Sequence, residues 1–115
     1  TIDVDQAASR ITANTRGIVG VDALGMPADW DQLESLASEH DLFLLEDAAC
    51  SVGGSLHGRP CGSFGDVAVF SLHARKGITS GEGGVVVTDD DDRENEGDLV
   101  MAAEKATTLN VEPGS

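Results

Sequence analysis

Tyrosine is missing from this sequence, and only three phenylalanines and one tryptophan represent the aromatic class. A core must therefore rest on Val, Leu, Ile and Ala. Positive charge is also scarce, with seven Lys and Arg against 21 Asp and Glu, a formal charge of −14. Such a chain repels nucleic acid and anionic membranes. A phosphorylated ligand would need a local cradle of backbone N–H groups or a metal. Two cysteines, Cys50 and Cys61, are too few for a disulfide-rich scaffold and lack the partner cysteines of a zinc site, so free thiols are expected. No apolar run approaches the ~20 residues a spanning helix needs, and no signal peptide opens the sequence. A cytoplasmic location is the expectation.

What is abundant is glycine and acid. Most of the 14 glycines fall between Gly53 and Gly84, a region that must be rich in turns or close backbone approaches. Eight acidic residues lie between Asp89 and Glu104. The length, 115 residues, suits one small domain or a piece of a larger one with a modest core.

Periodicity predicts alternating helices and strands. "TIDVDQAASRIT" places Val4, Ala7, Ala8 and Ile11 on one helical face, with Asp3 as cap and Gln6 three residues on. "RGIVGVDALG" reads as a short strand ended by glycine. "PADWDQLESLASEH" is the clearest helix, with Asp29 as cap, Gln32 at the third position and a stripe of Trp30, Leu33, Leu36 and Ala37. "DLFLLEDAAC" is a continuous apolar run, the pattern of a strand buried on both faces. "VAVFSLH" and "GGVVVTD" are further strands. The alternation implies an α/β fold. No internal repeat or Pro-rich linker interrupts it.

Three positions carry possible chemistry. Lys76, in "FSLHARKGITSGEGG", follows a strand and is surrounded by Gly77, Gly81, Gly83 and Gly84. It is either an ordinary surface lysine on a turn or an amine held at a pocket, where depressed basicity or imine formation makes lysine useful. Asp47 ends "LFLLED", at the C-terminal edge of a strand, where open α/β sheets bind ligands. A buried aspartate there needs a cationic partner, such as the ring nitrogen of pyridoxal phosphate, or it caps a turn through Ala48 and Ala49. Ser71, ending "VAVFS", is a plain strand-end serine or a donor to phosphate.

Together, "GMPADWDQL", "LLEDAAC", "GSFGDVAVFSLHARK" and "TSGEGGVVVTDD" resemble consecutive motifs of the DegT/DnrJ/EryC1/StrS aminotransferases, over roughly residues 1–90. The resemblance implies a partial large domain of the pyridoxal-phosphate-dependent aspartate-aminotransferase type, with helices packed on a mostly parallel sheet. It implies amination of a nucleotide-linked keto-sugar by an amino donor, and a homo-oligomer. Carried over residue by residue, Lys76 binds the cofactor covalently, Asp47 pairs with the pyridine nitrogen, and Ser71 contacts the phosphate. Cys50 takes the place beside the ring that is usually Gln or His. Gly77 follows the lysine where the family often has Asn. Family members are several times longer, so the phosphate-binding turn, the ring-stacking side chain and the C-terminal domain are expected outside this sequence. Strands cut from those neighbours should lose cover on one face and give an oligomer or a weakly folded monomer.

Residues 91–115 form an acidic tail in which "DDRENEGDLVMAAEKAT" resembles 3,4-dihydroxy-2-butanone 4-phosphate synthase of riboflavin biosynthesis. The junction falls between about Gly84 and Asp92. That resemblance implies Glu94 as a Mg2+ ligand, Glu96 as a proton-transfer group, and Arg93 and Asp98 as contacts to ribulose 5-phosphate. Hard cations do prefer carboxylate oxygens. The plainer reading is a solvated acidic run. "LVMAAEKA" is helical in composition, whereas the synthase makes its first residues strand. A chimeric or truncated chain without activity is the third alternative.

Overall fold

The computed structural model describes residues 1–88 and 98–101. Of two helices, α2 (Trp30–Glu39) packs on one face of a five-stranded sheet and α1 (Val4–Ser9) packs against α2. Its strands are β1 (Gly17–Val21), β2 (Phe43–Asp47), β5 (Val67–Ser71), β6 (Gly84–Thr88) and β7 (Asp98–Met101), in that spatial order. The first three are parallel, in register Val21–Asp47 and Asp47–Val69. β6 and β7 add antiparallel at the edge. A small hairpin of β3 (Ser55–Leu56) and β4 (Arg59–Pro60) stands apart. The fold is α/β, as expected.

Local chemistry explains the elements. Asp3 accepts from Gln6 N at 3.0 Å and Asp29 from Gln32 N at 3.2 Å, so both expected caps form. α1 stops at Ser9, short of the predicted Thr12. Thr12 and Thr15 close a competing turn there: Thr12 N donates to Thr15 Oγ1 at 2.9 Å and Thr15 N to Thr12 O at 3.1 Å. Leu24, at φ 55°, and Gly25, at φ 81°, sit in a short 3-10 turn, Ala23–Gly25, that ends the β1 loop.

The core lies between α2 and the sheet. The α2 stripe Trp30, Leu33, Leu36 and Ala37 is buried against Ile18, Leu44 and Phe64. Trp30 stacks on Phe64 with ring centroids 5.5 Å apart and planes 6° from parallel, a parallel face contact between two of the chain's four aromatics. Gly20 makes this possible: a Cβ there would lie 2.5 Å from Trp30 Cη2.

β2 departs from expectation. Leu44 and Glu46 are buried on the helix side, but Phe43 is 49 % exposed, and Leu45 and Asp47 are half-buried. The helices cover one face only. Val19 and Val21 of β1 are likewise exposed on the other, 57 % and 44 %. The loss of cover on one face is as predicted, and the burial on both faces read from "LFLLEDAAC" is not. For "LVMAAEKA", its first residues Leu99–Met101 belong to a strand. Among the described residues no helix is long and apolar enough to cross a membrane.

Candidate active site

Parallel pairing brings the C-terminal ends of β1, β2 and β5 to one edge. Asp47 is the last residue of β2 and sits opposite Val69. Ser71, two residues beyond Val69, ends β5. Because side chains alternate along a strand, Asp47 and Ser71 share the sheet face away from the helices. Ala48 N donates to Val69 O at 2.9 Å and fixes this junction. Asp47 is half-buried rather than buried, and its Oδ1 accepts from Ala49 N at 3.1 Å. Among the described residues no cation pairs with it. Ser71 Oγ accepts from His73 N at 3.3 Å.

Two turns face each other beyond this edge. The first, closed by Ser51 N to Ala48 O at 3.1 Å, presents Cys50. The second is the glycine-rich segment 72–83. Leu72 N donates to Gly83 O at 2.9 Å, Ala74 N to Gly81 O at 3.0 Å, and Lys76 N to His73 O at 2.9 Å. Lys76 Nζ reaches across and donates to Cys50 Sγ at 3.1 Å. Ala49, Cys50, Val52, Arg75, Lys76 and Gly77 line a cleft of ≈ 350 Å³ between the turns. The structure thus places Lys76 against Cys50 and sets Asp47 and Ser71 at the same sheet edge. Arg93, Glu94 and Glu96 lie outside the described residues, and Asp98 is described only as the first residue of β7.

A second polar cluster sits on the opposite, helix-covered face, and sequence reading did not pick it out. Asp22 is fully buried: Oδ1 accepts from Ala28 N at 3.0 Å and Trp30 Nε1 at 2.8 Å, and Oδ2 from Ser51 Oγ at 2.9 Å. Glu46, also fully buried, accepts from Gly62 N at 2.7 Å and Phe64 N at 3.0 Å. Ligand atoms of Asp22, Glu46 and Cys61 lie within 4.8 Å of one another. Burial, and then the neighbouring Asp22 carboxylate, push the Glu46 carboxyl up to about 7, while the two backbone N–H bonds oppose the shift. Burial also raises the Cys61 thiol. Among the described residues no buried side-chain N or O lacks a partner. The cluster is closed, and it ties three loops to the sheet. Its one sequence signal is a carboxylate at period-two spacing from Leu44 inside an apolar run.

The α/β sheet carries a lysine-bearing glycine loop at the C-terminal edge of its parallel strands. The model of the DegT/DnrJ/EryC1/StrS aminotransferase family matches residues 1–103, and the chain belongs to that family. It is 39 % identical over 90 residues to GDP-perosamine synthase of Vibrio cholerae, covering 78 % of this chain and 24 % of that protein. With L-glutamine:scyllo-inosose aminotransferase of Streptomyces griseus the identity is 45 % over 91 residues, 77 % of this chain and 22 % of the other. Among solved structures, DesI in the presence of its TDP-sugar product superposes with a TM-score of 0.75 at 49 % identity, over 79 % of this chain and 23 % of that one. E. coli GDP-4-keto-6-deoxy-D-mannose-3-dehydratase with bound hydrated PLP gives 0.71 at 34 % identity, over 77 % and 23 %. The chain spans about a quarter of the length of the curated relatives it matches. The family match also runs past the Gly84–Asp92 junction that the synthase resemblance implies.

Proposed function

We propose that the chain is the cofactor-lysine segment of a pyridoxal-phosphate aminotransferase that aminates a nucleotide-linked keto-sugar, working as a cytoplasmic homo-oligomer without nucleic-acid or membrane partners. The observation that carries this reading is the meeting of Lys76 and Cys50 beside the sheet edge that bears Asp47 and Ser71. The donor set fits the cofactor: a carboxylate for a protonated ring nitrogen, an amine for an aldehyde carbon, a hydroxyl for a phosphate. When bound, pyridoxal phosphate supplies an electron sink for the carbon that loses its proton. Asp47 would hold the ring N–H and keep it protonated. Ser71 Oγ would donate to a phosphate oxygen. Lys76 Nζ would tether the cofactor and, once displaced, move the proton. Cys50 Sγ orients that amine by accepting its hydrogen bond. The sugar-nucleotide substrate class draws on the names of the relatives and on the TDP-sugar product with DesI.

The test is chemical. With only two lysines in the chain, pyridoxal phosphate followed by borohydride and peptide mapping should label Lys76. A label mainly on Lys105, or spread evenly over both lysines and the amino terminus, overturns the reading.

A further inference from the structure

Cys50 and Lys76 form a thiol–amine pair, and the transferase reading uses the Cys50 thiol only to orient the Lys76 amine. Lys76 Nζ lies 3.1 Å from Cys50 Sγ. Both residues sit on turns pinned by backbone hydrogen bonds, so their approach does not rest on side-chain chance alone. Cys50 is exposed, while the chain's other thiol, Cys61, is buried and raised in pKa. An oxidant meets the first thiol and not the second. The cleft beside the pair is open to small molecules.

We propose that Cys50 and Lys76 are a redox-modification site: peroxide oxidation of Cys50 leads to a covalent Sγ–Nζ bond that takes the Lys76 amine out of use. In the first step hydrogen peroxide oxidises the thiol to a sulfenic acid and is itself reduced to water. In the second, the lone pair of neutral Nζ attacks the sulfur. The S–N bond forms, the S–O bond breaks, and the hydroxyl leaves with one amine proton as water. Sulfenic acids condense in this way with a neighbouring nitrogen. A thiol reductant reverses the link, cleaving S–N, returning the amine and thiol, and leaving the reductant as its disulfide.

The experiment treats the 115-residue chain with hydrogen peroxide and maps its peptides by mass. The expected product is a Cys50–Lys76 linked peptide about 2 Da lighter than the sum of its parts, lost on adding dithiothreitol. Pyridoxal-phosphate labelling of Lys76 with borohydride should fall with cross-linking and return with reductant. Cys50→Ala should keep whatever labelling it has after peroxide. Lys76→Arg should accumulate sulfenic acid at Cys50, seen as increased trapping by dimedone. Sulfinic acid at Cys50, or a Cys50–Cys61 disulfide, with a free Lys76 amine overturns the proposal. So does equal dimedone trapping in wild type and Lys76→Arg. The cross-link does not require pyridoxal phosphate, so it is found or missed whether or not the reduced chain takes the cofactor label.

Discussion

Glu46 and Asp47 are neighbours in sequence and opposites in environment, because alternate strand residues face opposite ways. Asp47 looks onto the open face at the proposed cofactor edge, and Glu46 into the buried cluster with Asp22. The buried one sets a pH dependence. Its folded pKa, about 7, lies above the ordinary carboxyl value of 4.5, so the folded state holds a proton that the unfolded chain has released between those values. Stability from this group is therefore complete below about 4.5 and lost as pH rises through 7. Thermal melts of the chain should fall between pH 5 and pH 8. Glu46→Gln should flatten that slope whichever way it moves the absolute melting point, since glutamine does not titrate. An unchanged slope in Glu46→Gln would assign the dependence elsewhere. Gly20 belongs to the same scale: Gly20→Ala puts a methyl 2.5 Å from the Trp30 ring and should cost ~1–3 kcal/mol in denaturant unfolding.

At the scale of elements, α2 organises the packed face. Trp30 fills the core, stacks on Phe64, and donates Nε1 to Asp22 at 2.8 Å. Trp30→Ala removes the packing and one partner of a buried carboxylate, so it should cost at least the ~3–5 kcal/mol of a large core truncation. Asp29→Ala, which removes the cap and the exposed Gln32 side-chain bond to the same carboxylate, should cost ~1 kcal/mol. Comparing the two midpoints separates core from cap. The helix, its cap and its stripe were legible because all three are short-range signals. Motif order also singled out Lys76, Asp47, Cys50 and Ser71, and the fold brings Lys76 to Cys50 and sets Asp47 and Ser71 at one sheet edge. Asp22 was not legible, because its partners Ala28 and Trp30 at the start of α2 and Ser51 in a later loop meet it only in the fold. The cover of β2 was misread for a related reason. An apolar run reports what a strand is suited to bury, and the second layer that would bury the other face is not among the described elements.

The 115-residue chain combines an uncovered apolar sheet face with strong net negative charge, and these oppose each other in solution. Val19, Val21 and Phe43 are exposed together on adjacent paired strands, with half-buried Leu45, Val67 and Val69 beside them. An exposed apolar patch of this kind favours association. A formal charge of −14 on 115 residues resists it, and salt weakens that resistance within the ~8–10 Å screening length of ordinary buffers. Association of the chain should therefore increase with ionic strength, the reverse of a contact held by ion pairs. Light scattering across a salt series, at fixed pH and concentration, measures it. An apolar-sensitive dye should bind the chain and be released as association proceeds. Val19→Thr with Phe43→Ser should reduce both signals without changing the packed face, because neither side chain lies in the α2 core. Dissociation on adding salt, or a dye signal that survives the double substitution, would place the contact elsewhere on the surface. Exposed Leu24, Met26 and Ile78 would then be the next residues to replace.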